Sequence, residues 1–243
     1  SYREGEVLYG RDEDIRNLLE CILNDRDTLL YGRSGIGKSS ILNAGIFPVA
    51  RVQGFLPVVV RLSHRGELGY LQQIREAIAN AMLPQELDES GIPVKLSEEE
   101  HAHRNEVLSH MIREVIPCKE PEKEGFYEFF HRHTFHSKDG ERIKLLIVFD
   151  QFEELFTLQE KSSRKREFFA DLSDLLNDIM PESLQYDVAS ENPDEEVVSD
   201  KMEIDDLFAD VKIDLVEDRI RYVNDNQVHF VFTIREDYLS EFE

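Results

Sequence analysis

Apolar positions along this chain come in two textures: short unbroken runs, and longer segments where they recur every three or four residues. The first is the texture of strands buried on both faces, the second that of amphipathic helices. Unbroken runs over 28–31, 56–62, 145–149 and 228–234 predict four strands. Ile15, Leu18, Leu19, Ile22 and Leu23 fall on one face of a helix, with Asp12 and Asp14 suited to its positive N-terminal end. A second helix, from Ile41 to Phe47, is expected to stop ahead of Pro48. Leu71, Ile74, Ile78, Ala81 and Met82 mark another, closed by Pro84, and Val107, Leu108, Met111, Ile112, Val115 and Ile116 a further one. Phe126, Phe129 and Phe130 predict a short aromatic helix or turn, and Phe168, Phe169, Leu172, Leu175, Leu176 and Ile179 a clearly amphipathic helix. Helical periods alternating with buried strands predict an α/β fold in three layers with a mostly parallel sheet, whose ligand edge lies at the carboxyl ends of the strands.

Between the second and third strands the chain is longer than a minimal crossover needs, so residues 64–140 are expected to form a helical insertion within one domain spanning 1–243. Residues 181–218 differ in composition. Fourteen acidic and two basic residues lie there, few of its residues are aromatic, and the segment reads as a solvated, partly disordered acidic loop with one helical piece near 204–208.

Charge narrows the partners. The 243 residues carry 51 acidic and 28 basic side chains, a formal net charge of −23. Such a surface repels phosphate backbones and anionic lipid, so direct nucleic-acid binding is not expected. Two cysteines, Cys21 and Cys118, make neither a disulfide framework nor a zinc pattern, which fits a reducing cytoplasm. No apolar run approaches membrane-spanning length, and the N-terminus does not begin a signal peptide.

The chemistry concentrates after the first strand. Gly32-Arg33-Ser34-Gly35-Ile36-Gly37-Lys38-Ser39 reads G-x-x-x-x-G-K-S between a strand and a helix, the context in which this pattern means a phosphate-binding loop. Glycines let the backbone turn consecutive N–H groups toward one anion, and the helix N-terminus adds a favourable field. Lys38 is expected to reach the β- and γ-phosphates and Ser39 to sit on Mg²⁺, with Ser40 beside it. The third strand ends in Asp150, an acid able to complete the Mg²⁺ shell beside Ser39. Glu153 or Glu154 can then polarise an attacking water, the other being a solvated helix residue. Arg235, at the end of the last strand, is a candidate γ-phosphate contact, or else a surface ion pair with Glu236 or Asp237. No N-K-x-D guanine-reading motif is present, which disfavours GTP.

These motifs together resemble the STAND class of P-loop NTPases, and within it the bacterial "novel STAND" group, related to NACHT and NB-ARC ATPases. The resemblance rests on Gly32 to Ser40 with the following Ile41 to Pro48, and on Asp150-Gln151-Phe152-Glu153-Glu154-Leu155-Phe156. Tyr9-Gly10-Arg11-Asp12 is similar to the entry motif that borders the adenine in that class, and Thr233-Ile234-Arg235-Glu236-Asp237 to its sensor element. The resemblance implies ATP and Mg²⁺ as cofactors and slow hydrolysis. It implies a switch module exchanging ATP and ADP, self-associating in a larger signalling protein with covalently linked effector and sensor domains. Antiphage defence is a further implication. The missing initial Met and the end just after the sensor element lead to the expectation of a piece truncated before the C-terminal part. Two other functions remain open: a stand-alone ATPase or phosphotransferase, and a nucleotide-binding scaffold without hydrolysis.

Two weaker signals complete the picture. His131, His133 and His136 lie near Cys118, but their spacing fits no zinc finger and a wetted helix end is expected. The basic run Lys161 to Arg166 is expected to be a solvated helix face, the sharper alternative being a contact to a neighbour's phosphate or to the acidic segment.

Overall fold

A computed structural model describes residues 8–63, 68–88, 92–115, 124–156, 163–179, 212–216, 219–223 and 228–239. The chain divides into two units, one taking Ser1–Ile112, Phe135–Ser162 and Gln227–Glu243, the other Arg113–Thr134 and Ser163–Asn226.

The first unit is built on a parallel sheet of four strands: β1 (Asp27–Gly32), β2 (Phe55–Val60), β5 (Lys144–Phe149) and β8 (Val228–Arg235), in the order β1-β8-β5-β2. All four predicted strands are present. β5 and β8 occupy the middle, and each is buried on both faces, which is why they read as unbroken apolar runs. Side chains alternate across the sheet, and register pairs Val148 with Val231 on one face, Ile147 with Phe230 and Phe149 with Phe232 on the other.

On the first face, Leu146, Val148 and Val231 pack with Ile22 of α1 (Asp12–Asn24) and with Ile41, Leu42, Ile46 and Phe47 of the segment after β1. Ile15, Leu18 and Leu19 join as expected, but Leu23 is left outward. On the other face, Phe149 and Phe232 stack at 5.2 Å between ring centroids and Phe152 meets Phe232 edge-on at 5.0 Å. The helix α4 (Tyr70–Met82) lies against β2 with Ile74 and Ile78 fully buried.

The helix after β1 does not stop ahead of Pro48. It starts as α2 (Lys38–Ser40), widens into a π-helical stretch (Ile41–Ile46) and continues as α3 (Phe47–Val52), with Pro48 in its first turn. The Phe47 N–H donates to the Leu42 carbonyl five residues back. That wider turn lets the chain pass a residue that has no N–H to give. A second difference concerns α5 (Glu98–Met111), which begins with a Ser97/Glu100 capping box. It ends at Met111, and Ile112 opens a short strand, β3 (Ile112–Glu114), instead of extending the helix. The β-branched Ile112 suits that extended backbone. Val115 follows the strand, and Ile116 lies outside the described residues.

In the second unit, α6 (Phe126–Arg132) leads into β4 (His133–Phe135) and packs on α7 (Ser163–Leu176). Phe126 meets Phe130 edge-on and Phe168 at 5.9 Å. The Asp171 carboxyl accepts the N–H groups of Phe126 and Tyr127, capping α6 from its neighbour. Burial pushes the Asp171 pKa up, and the two backbone hydrogen bonds oppose that shift. Ile179 falls past the end of α7, beyond the left-handed Asp178, and is exposed rather than on the helix face. The expected wetted histidine end is instead buried. His131 is 3% exposed and its Nδ1–H donates to the Tyr127 carbonyl; in the first unit, His136 is 7% exposed and its Nδ1–H donates to the Gly140 carbonyl. Of the acidic stretch, residues 181–211 lie outside the described residues, including the helical piece near 204–208. β6 (Lys212–Val216) pairs antiparallel with β7 (Arg219–Val223).

Candidate functional site

The carboxyl ends of β1, β5 and β8 meet along one edge of the sheet, so the segments leaving them converge. The loop after β1 runs from Arg33 to Gly37, with Gly35 at φ 78° and Gly37 at φ 99°. A Cβ on Gly35 would meet nothing within 4 Å, so conformation, not space, calls for glycine there. Gly37 is the N-cap of the helix beginning at Lys38, which turns that helix's first N–H groups toward the loop. Lys38 folds back over the loop, its Nζ donating to the carbonyls of Gly32 at 2.7 Å and Arg33 at 3.3 Å.

Asp150 follows β5. Its Oδ1 accepts the Ser39 hydroxyl at 3.5 Å and the Thr233 hydroxyl at 3.1 Å. The next residue, Gln151, is left-handed at φ 56°, and its N–H donates to Thr233 Oγ1 at 3.0 Å. That turn starts a 3₁₀ helix (Phe152–Leu155). A turn of three residues sends adjacent side chains about 120° apart. Glu153 is therefore buried, 6% exposed, with an Oε2 that has no hydrogen-bond partner among the described residues. Glu154 points outward to an exposed ion pair with Arg61 at 2.6 Å.

Arg235 ends β8 half-exposed, its guanidinium donating to Asp237 Oδ2 at 2.7 Å and lying 5.6 Å from the Tyr238 ring centre. The Asp237 hydrogen bond raises the arginine pKa further, with Glu153 a lesser contributor, so the group stays charged at every working pH. Nearby, Arg33 reaches Glu236 at 3.6 Å across solvent.

Two clefts flank Gly37 and Lys38, which line both. The first, about 240 Å³, gathers Ser34, Gly35, Ser39, Ser40, Asp150, Gln151, Glu153, Thr233 and Arg235. The second, about 270 Å³, is walled by Leu18, Leu30, Ile36 and Ile41 and rimmed by Arg11, Asp14, Asn17 and Tyr31. Arg11 bridges its rim, with Nη1 donating to Asp14 at 2.6 Å and Nη2 to the Ile36 carbonyl at 2.8 Å.

Most residues singled out from the sequence thus line one cleft or the other. Tyr9, Gly10, Arg33 and Glu154 line neither, and Gly32 takes part through the carbonyl that holds Lys38. Tyr9 is 88% exposed. From the sequence, Thr233 and Gln151 of the first cleft were quoted within motifs but given no role of their own, and in the second cleft Asp14 was read only as a helix-terminal acid and Asn17 not at all. The hydroxyl of Thr233, alone among apolar neighbours in β8, was the available signal.

The first cleft offers hard oxygen donors: the Ser39 hydroxyl, the Asp150 carboxylate and a Glu153 oxygen that has no partner among the described residues. Such a set fits a small divalent cation that shares its shell with water and phosphate, as Mg²⁺ does. Among the described residues no helix is long and apolar enough to cross a membrane.

A protein-family model described as "Novel STAND NTPase 1" matches residues 1–243. Neither a curated protein nor a solved structure matches the chain.

Proposed function

This chain belongs to the Novel STAND NTPase 1 family, and from that premise we propose that it is the Mg·ATP-binding switch module of a larger signalling protein. One observation carries the reading: a single cleft at the carboxyl edge of the sheet gathers Lys38, Ser39, Asp150, Glu153 and Arg235 from three different strand ends. Each of these side chains has a distinct task there.

The turned loop and the helix N-terminus receive the phosphates, and Lys38 shifts its ammonium from the loop carbonyls to the β- and γ-oxygens. Ser39 and Asp150 hold Mg²⁺, which when bound neutralises charge that develops on the phosphates. Glu153 accepts a proton from a water as its oxygen bonds to the γ-phosphorus and the β–γ bridge oxygen leaves with ADP. Its buried oxygen, without a partner among the described residues, supports that role over Glu154. Arg235 exchanges Asp237 for the γ-phosphate, a contact that ADP cannot make. The second cleft takes the base and ribose, with apolar walls for the ring and Arg11 bracing Ile36 of the phosphate loop.

A triphosphate-dependent contact on β8 is what a switch requires, because it separates the ATP from the ADP state by differential affinity. Self-association, linked effectors and a part in antiphage defence follow from the family resemblance, a cytoplasmic setting from the sparse cysteines, and all belong to this same proposal. Calorimetry with Mg·ATP, Mg·ADP and Mg·GTP, with hydrolysis followed on the same sample, tests it. Adenine-selective binding with slow turnover is expected. Rapid multiple turnover would point to a free-standing ATPase, and no binding of any nucleotide would refute the reading.

A further inference from the structure

Thr233 sits in the middle strand of the sheet, 1% exposed, where a valine would fill the same space with equal strand propensity. A buried hydroxyl is costly unless paired, so its partners explain its presence. Both its capacities are used, and on consecutive residues. It donates to Asp150 Oδ1 at 3.1 Å and accepts the Gln151 N–H at 3.0 Å. One hydroxyl thereby fixes the carboxylate that faces Ser39 and the left-handed turn that leads to Glu153. A non-glycine residue in that conformation is unfavourable by itself and persists only where its surroundings hold it. Thr233 and Arg235, two apart on one strand, also share a face and line the same cleft.

We propose that Thr233 is a positioning residue for the divalent cation: through Asp150 Oδ1 it orients the carboxylate, and through Gln151 it sets the turn that carries Glu153. Because it lies on β8 with Arg235, it ties the strand carrying the arginine to the strand carrying the cation ligand. The proposal rests on reading the cleft as a metal–nucleotide site. Partners that orient a metal-ligating carboxylate typically change metal affinity by about 10- to 100-fold when removed.

The test uses Mn²⁺ as the probe cation, titrated into the protein with ATP present and read by calorimetry, alongside ATP affinity in chelator. Thr233→Val is expected to raise the Mn²⁺ concentration for half-saturation by about 10- to 100-fold, leaving metal-free ATP affinity unchanged. Thr233→Ser, which keeps the hydroxyl, is expected to restore the wild-type value. An unchanged half-saturation in Thr233→Val, or serine and valine variants weakened alike, would overturn the proposal. A wild-type protein that binds ATP without responding to Mn²⁺ would instead refute the metal–nucleotide reading, and the role of Thr233 with it. Should Thr233→Val not fold, amide hydrogen exchange at Gln151 in the wild-type and Thr233→Ser proteins carries the test. Protection in both supports the proposal, and rapid exchange at that amide overturns it.

Discussion

Replacing Glu153 by glutamine separates what its carboxyl group does for chemistry from what it does to the fold. The side chain is buried, and one of its oxygens has no partner among the described residues. An orphaned buried polar atom costs about 1–3 kcal/mol. The amide is nearly isosteric and less costly to bury, so Glu153→Gln is expected to stabilise the protein by on the order of 1 kcal/mol. For a chain of this size that corresponds to a rise in Tm of about 2–4 °C. Turnover moves the other way. A positioned general base contributes about 10²–10⁴-fold, or about 2.7–5.5 kcal/mol of barrier, and the amide cannot take the proton. The two effects are read by thermal melting of the free protein and by single-turnover hydrolysis of Mg·ATP. Glu154→Gln is the matched control, because its exposed pair with Arg61 contributes about 0–1 kcal/mol. Turnover indistinguishable from wild type in Glu153→Gln, or lost only in Glu154→Gln, would refute the reasoning.

Three further substitutions probe separate parts of the structure. Lys38→Ala is expected to weaken ATP binding by about 10- to 150-fold, the equivalent of a charged hydrogen bond of about 1.5–3 kcal/mol; unchanged affinity by calorimetry would remove the site assignment. Arg235→Ala should leave ADP affinity intact while cutting the preference for ATP by on the order of tenfold, and equal weakening of both nucleotides would end its role as a γ-phosphate contact. Gly45→Ala would place a Cβ 2.6 Å from Ile15 Cγ1 and 2.7 Å from its Cδ1. Overpacking of that kind costs about 1–3 kcal/mol, so Tm should fall by a few degrees and recover in part when Ile15→Ala is added.

The frame of the fold was legible because strands buried on both faces announce themselves as unbroken apolar runs, and β5 and β8 are the two most central strands. The turned loop after β1 was legible because its glycines and lysine are spaced by backbone geometry. What escaped was decided by tertiary context. Nothing local marks Gln151 as left-handed, since the residue is not glycine and Thr233 holds its N–H from a distant part of the chain. Glu153 and Glu154 are neighbours in sequence, and only the 3₁₀ turn sends one inward and the other to Arg61. Pro48 looked like a helix stop because the π-helical stretch that accommodates it has no sequence signature. Arg33 sits inside the loop motif yet extends into solvent toward Glu236. The second cleft was only half visible, because Asp14 and Asn17 read as ordinary solvent-facing positions of an amphipathic helix.

The strand order has a consequence for how the molecule is made. β8, the last of the four to be synthesised, lies between β1 and β5, and those two share no ladder of their own. A nascent chain that has emerged only as far as Asp150 already carries the glycine loop after β1, but lacks the strand that holds the two side by side. Ladders formed between such distant segments close late, after the local helices. A partly synthesised chain thus presents its glycine loop and Asp150 without the strand that brings them together and without Arg235, so the cleft they line forms only once β8 has been inserted.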